Sequence, residues 1–198
     1  MKLILYFLIR GIIVFILTFS IFSIVRTKYF SYLKKNSSPK REVLLSVFIA
    51  YISVLCLFLF TPNVLIANSG IDLSAENFDF VGDFKDRITS GAWGVNLIPF
   101  KTIISYVKYS NFHNAFLNIA GNILIFIPLG LLLPIIYKGF RKFSKTFLAS
   151  VFFSLFIEFI QFFIGRSVDI DDLFLNTIGG LTGYLIFHLL YKNGKIKV

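Results

Sequence analysis

Five apolar runs, at about residues 3–25, 43–61, 115–137, 147–164 and 173–191, dominate this 198-residue chain. Each approaches the roughly 20 residues that a helix needs to cross the hydrocarbon core of a bilayer. Hydrophobic residues make up 57% of the sequence and charged residues 15%. Soluble domains run at about 45–50% and about 25%, so a soluble globule is excluded. The expected fold is an all-α integral membrane protein with five transmembrane helices. The first run is too long for a signal-peptide core, and no small-x-small cleavage pattern follows it, so it reads as a retained helix. The lone Cys56, inside an apolar run, leaves no intramolecular disulfide and no Cys-based zinc site.

The connections alternate in charge. Segment 26–42 carries Arg26, Lys28, Lys34, Lys35, Lys40 and Arg41 against Glu42 alone. Segment 138–146 holds Lys138, Arg141, Lys142 and Lys145 with no acid, and the tail holds Lys192, Lys195 and Lys197. Segments 62–114 and 165–172 balance or reverse this excess. The positive-inside rule then places the N-terminus outside and the C-terminus in the cytoplasm. Basic cytoplasmic loops account for the net charge of +10, and no nucleic-acid partner is expected.

Segment 62–114 is the one long connection. Residues 67–94 are polar and contain Gly, with Trp93 as an interfacial anchor. Residues 96–109 are apolar enough to form an interfacial or re-entrant segment in this outer loop, with Pro99 in or just before the first turn of a helix. The chain therefore divides into an N-terminal helix and basic loop (1–44), a membrane domain (45–190) and a basic tail (191–198).

The polar residues inside the apolar runs are spaced to share faces. Asn114, Asn118 and Asn122 fall at i, i+4 and i+8. Ser154, Glu158 and Gln161 share a face of the next run, and Asp172, Asn176, Gly179 and Gly183 share a face of the last. Asn122 and Glu158 each lie about 9 Å from the same side of the membrane, at 1.5 Å per residue. Polar faces at one level in lipid are expected to turn toward each other, with Gly179-x-x-x-Gly183 allowing close helix approach behind them. Gly121, Pro128 and Gly130 allow a bend in the third run. Arg10, about seven residues into the first run, is either a snorkelling surface cation or a partner of the acidic cluster.

Several chemistries suit this set. Asn and Gln glue helices together, and Asp171 or Asp172 suits a helix N-cap. Glu158 in a low-dielectric slot suits a proton donor or acceptor, with Asp169 or Asp172 orienting it; no Ser or Cys nucleophile beside a base is visible. Arg166 suits a phosphate or carboxylate, with Asn118, Asn122, Gln161, Asn176 and Arg10 as further ligand-binding candidates. The carboxylates with Asn176 are hard oxygen ligands of the kind Ca²⁺ or Mg²⁺ takes. Their spacing matches no EF-hand and no histidine accompanies them; no metal and no cofactor is assigned.

The motifs N-L-I-P-F (96–100), N-I-A-G-N-I-L-I-F-I-P-L-G (118–130), S-L-F-I-E-F-I-Q (154–161) and R-S-V-D-I-D-D-L-F-L-N-T-I-G-G-L-T-G (166–183) resemble the VanZ-like family of bacterial membrane proteins. The resemblance covers about residues 45–190 and leaves out the first run, so Arg10 gains nothing from it. It implies a protein of the bacterial plasma membrane. Founding members confer low-level resistance to teicoplanin, a lipoglycopeptide with a fatty tail, without altering the peptidoglycan terminus. The resemblance carries no catalytic residues, but its motifs include Asn118, Asn122, Glu158, Gln161, Arg166, Asp169, Asp172 and Asn176.

The expected function is an outward polar pocket that binds or handles a membrane lipid or a lipid-linked cell-wall precursor, or the lipoglycopeptide itself. The competing expectation is an enzyme that modifies a lipid-linked envelope substrate. A small transporter fits less well, because the charged residues stop at one side and no second half repeats the first. Oligomeric state stays open.

Overall fold

The computed structural model describes residues 2–35, 37–61, 94–109, 112–164 and 168–196. Five helices are long and apolar enough to cross a membrane, so the chain is a multi-pass membrane protein. The polar stretch 67–94, Trp93 included, lies outside the described residues except for Gly94. The chain divides into two compact units, Met1–Val81 and Gly82–Val198.

The first unit holds helices α1 (Lys2–Lys28) and α2 (Pro39–Phe60), with a 3₁₀ turn at Ser31–Lys34 between them. The start of α2 follows from its sequence. Ser38 is extended and its side chain accepts the Arg41 N–H, while Pro39 occupies the first helical position, where a missing donor costs nothing. Gly11 lets the ring of Phe58 and the side chain of Val54 approach α1 closely. At the other end Ser23 Oγ donates to Ser46 Oγ at 3.0 Å, and Arg26 grips both carboxylate oxygens of Glu42 at 2.9 and 3.2 Å. Leu and Ile make up most of the exposed surface of α1, as lipid contact requires.

The second unit contains α3 (Lys101–Tyr109), α4 (Phe112–Ile136), α5 (Phe143–Phe163) and α6 (Ile170–Lys192). Helix α6 packs on both α4 and α5. Its glycines face the α4 backbone: a Cβ on Gly179 would strike the Ile123 carbonyl, and one on Gly183 the Ile127 carbonyl. Gly130 of α4 answers them, because a Cβ there would overlap the Gly180 carbonyl. Its place is thus explained by close packing, where the sequence pointed to a bend; the prolines inside α4 are Pro128 and Pro134. At the far end Tyr184 Oη donates to the Arg141 carbonyl and Thr146 Oγ1 to that of Phe140, at 2.8 and 2.6 Å.

One feature departs from a purely helical chain. Strand β1 (Val95–Asn96) pairs in parallel with β2 (Val168–Asp169), the only β-structure among the described residues. Val168 N–H also donates to the Gly94 carbonyl at 3.0 Å. The ladder ties the segment before α3 to the segment before α6, and so brings two parts of the chain more than seventy residues apart to one end of the α4–α5–α6 bundle.

Candidate functional site

The site is built where α3, α5 and α6 meet the two-residue ladder. Helix α6 begins at Ile170, and Asp169 in front of it is extended, with its Oδ1 accepting the Asp171 N–H at 2.9 Å. Asp169 is therefore the N-cap, where the sequence pointed to Asp171 or Asp172. Its position in β2 explains this, since an N-cap needs non-helical backbone. The same carboxylate accepts from Asn96 Nδ2 at 3.2 Å and from the Thr102 hydroxyl. Its backbone N–H donates to Glu158 Oε2 of α5 at 3.0 Å.

Asp171 has a different task. It is fully buried, at 0% exposure. Its carboxylate reaches out of α6 and accepts the backbone N–H groups of Phe100, Thr102 and Ile103, the last two at 2.8 and 3.1 Å. These are donors that the first turn of α3 leaves without intrahelical partners, at the positive end of the helix dipole. Phe100 takes a positive φ of 65° where the chain turns into α3, and its ring stacks on Phe174 at 5.9 Å.

Two further pairs lie on either side. Asn122 of α4 donates to Asp172 Oδ1 at 2.6 Å. Asn176, buried on α6, donates to Ser154 Oγ of α5 at 3.0 Å, one turn deeper than Glu158. The polar faces of the three helices thus meet side chain to side chain, each with its own partner. Gln161 is buried on α5 beside this level. Asn118 sits one turn before Asn122 with its side chain exposed. Arg166 lies outside the described residues. Arg10 belongs to the other unit, where its guanidinium stands 3.5 Å over the ring of Tyr6.

Asn96 and Thr102 were not singled out as site residues from the sequence, which offers Asp171 only as an N-cap of its own helix or a hard oxygen ligand. For Asn96 the signal was present, because it opens the N-L-I-P-F motif. Asp171 lies in the R-S-V-D-I-D-D motif, but its backbone partners on α3 left no sign of this role. No cluster of three or more His, Cys, Asp or Glu among the described residues is arranged to hold a metal.

The carboxylates are thus engaged with backbone and side-chain donors, which is the chemistry of a fixed polar framework. Over it lies α3, which buries none of its residues and exposes Ile104, Val107 and Tyr109, with Leu97, Ile98 and Phe100 exposed just before it. An apolar surface of that kind next to a polar network suits an amphiphile or a lipid interface.

The profile of the VanZ/LLP1 family matches residues 48–191. The chain is similar to Protein VanZ of Enterococcus faecium, at 33% identity over 110 residues, which covers 49% of this chain and 68% of that protein. No solved structure matches.

Proposed function

The chain belongs to the VanZ/LLP1 family, and from that membership we propose that it is a bacterial plasma-membrane protein of the teicoplanin-resistance type. In this reading its N-terminus lies outside, its C-terminus lies in the cytoplasm, and α3 rests in the outer interface. The polar network around Glu158, Asp169 and Asp171 then opens outward at headgroup depth. It binds or handles a lipid or lipid-linked envelope molecule, so that less antibiotic engages its target at the cell surface. Asn118, Asn122, Gln161, Arg166 and Asn176 supply polar contacts to that ligand.

One observation carries the preference for binding over catalysis. Each candidate catalytic carboxylate already has a structural partner: Glu158 takes the Asp169 N–H, Asp169 caps α6 and holds Asn96 and Thr102, and Asp172 takes Asn122. The enzyme reading, with Glu158 as acid/base, requires that partnership to break during turnover.

The test expresses the protein in a teicoplanin-susceptible bacterium, measures the inhibitory concentration, and identifies co-purifying lipids by mass spectrometry. With Glu158→Gln and Asp172→Asn, the binding reading expects resistance and lipid retention to fall together. Resistance lost with lipid retained supports the enzyme. No change in either, in a folded protein, reduces the network to helix glue.

A further inference from the structure

Helix α5 carries a polar stripe longer than the site needs. Thr146, Ser150, Ser154 and Glu158 recur every four residues, and all four are buried. Residues at that spacing line one helix face, and this face meets α6. Three of the four are accounted for. Thr146 Oγ1 donates to the Phe140 carbonyl, Ser154 Oγ accepts from Asn176, and Glu158 accepts from Asp169.

The middle of the seam is different. Ser150 Oγ, Asn176 Oδ1 and Thr177 Oγ1 are buried side-chain atoms with no hydrogen-bonding partner in the protein. Their residues are exposed by 0%, 3% and 8%. They also belong together. Ser150 lies against Gly180, where a Cβ would overlap its hydroxyl. Asn176 and Thr177 precede Gly180 by four and three residues on α6, within about one turn of it along the helix. Polar atoms left dry in such a place are strongly disfavoured, and native proteins pair them with ordered water.

We propose that ordered water occupies the α5–α6 seam at the level of Ser150, Asn176 and Thr177, extending the outer polar network toward the middle of the membrane. The donor and acceptor count fits water. Asn176 Oδ1 accepts only, whereas the Ser150 and Thr177 hydroxyls donate or accept, so one molecule gains the usual two to four partners. All three groups are neutral, which matches a neutral ligand. The inference stands independently of the resistance function, because it rests on side chains one turn or more below the Glu158–Asp169 contact.

The experiment compares thermal unfolding of the full-length protein in nanodiscs with that of Thr177→Val, Ser150→Ala and the double variant. Thr177→Val keeps the shape and removes the hydroxyl. A hydrated site expects Tm to fall by about 2–4 °C in each single variant. Because one water serves both hydroxyls, the double variant should fall by less than the sum. An unchanged or raised Tm means the atoms are dry and overturns the proposal, as do strictly additive falls, which mean that the hydroxyls act separately. Sodium chloride titrated against choline chloride checks the ligand's identity: a wild-type Tm that climbs with sodium alone assigns the oxygens to a monovalent cation and also overturns it. A high-resolution experimental map of the wild type showing density between these three atoms gives the same answer without a variant.

Discussion

The Asp171 carboxylate of α6 accepts the Thr102 backbone N–H of α3 at 2.8 Å, and so one helix is started by a residue of another. Helix α3 has only nine residues, and helices that short are marginal in water without tertiary support. With Phe100 and Ile103 also donating to it, Asp171 supplies three of the hydrogen bonds that the first turn lacks.

Asp171→Asn therefore destabilises this end of the bundle. The amide keeps the shape but loses the charge, and it turns an NH₂ group toward backbone donors. Hydrogen bonds to charged groups contribute about 1.5–3 kcal/mol each, so a loss of about 2–3 kcal/mol is expected. Hydrogen exchange at Thr102 and Ile103 should accelerate by about tenfold for each 1.4 kcal/mol lost. Unchanged exchange at these amides would show that α3 starts without this carboxylate.

Close helix packing gives the second prediction. Gly130→Ala places a methyl group inside the Gly180 carbonyl, and backbone cannot swing aside as a side chain does. Overpacking costs about 1–3 kcal/mol, and this position belongs at the upper end. Gly121 is the control, since a Cβ there meets nothing within 4 Å. Gly121→Ala should be neutral or stabilising by up to about 1 kcal/mol, because Ala is the better helix former. Thermal unfolding of the two variants in one detergent checks the order.

The contact between Arg26 and Glu42 is bidentate, with both side chains 13% exposed. It closes the connected ends of α1 and α2. Glu42→Gln should cost about 1 kcal/mol, given the partial exposure and the screening that accompanies it. The loss should shrink as salt is raised from 0.05 to about 0.5 M, since the wild type loses part of the attraction too. A double-mutant cycle with Arg26→Gln measures the coupling directly, and a coupling of zero would mean that the pair contributes nothing to stability.

Much of this architecture was legible from residue patterns. Length and apolarity located all five spans, and the i+4 spacing of Asn122, Ser154, Glu158 and Asn176 foretold polar faces that meet between helices. What stayed hidden has a common physical origin. Asp171 binds main-chain N–H groups about seventy residues away, and main-chain donors leave no mark in a side-chain pattern. The β1–β2 ladder is two residues long, too short for any alternation to show. Gly130 read as a hinge beside Pro128, because a lone glycine looks the same whether it bends a helix or admits a neighbour's carbonyl. Thr146 and Ser150 continue the α5 stripe at the same spacing as Ser154 and Glu158, and were visible in the sequence to a longer count of the period.

The last prediction concerns Phe100, whose φ of 65° is unusual for any residue but glycine. A left-handed conformation costs an L-residue roughly 1–2 kcal/mol. Here it is held by the Asp171 contact on its N–H and by the stack on Phe174. Two substitutions separate these effects. Both Phe100→Ala and Phe100→Gly remove the stack, worth about 0.5–1.5 kcal/mol beyond area. Only glycine also removes the backbone strain. Glycine gives part of that back by widening the unfolded ensemble, by about 0.4–1 kcal/mol. The net expectation is that Phe100→Ala is the less stable of the two, by about 0.5–1 kcal/mol. Exchange at the Thr102 amide should follow the same order. If alanine proves the more stable, the chain reaches Asp171 through a right-handed turn at residue 100, and the account of how α3 is started must change.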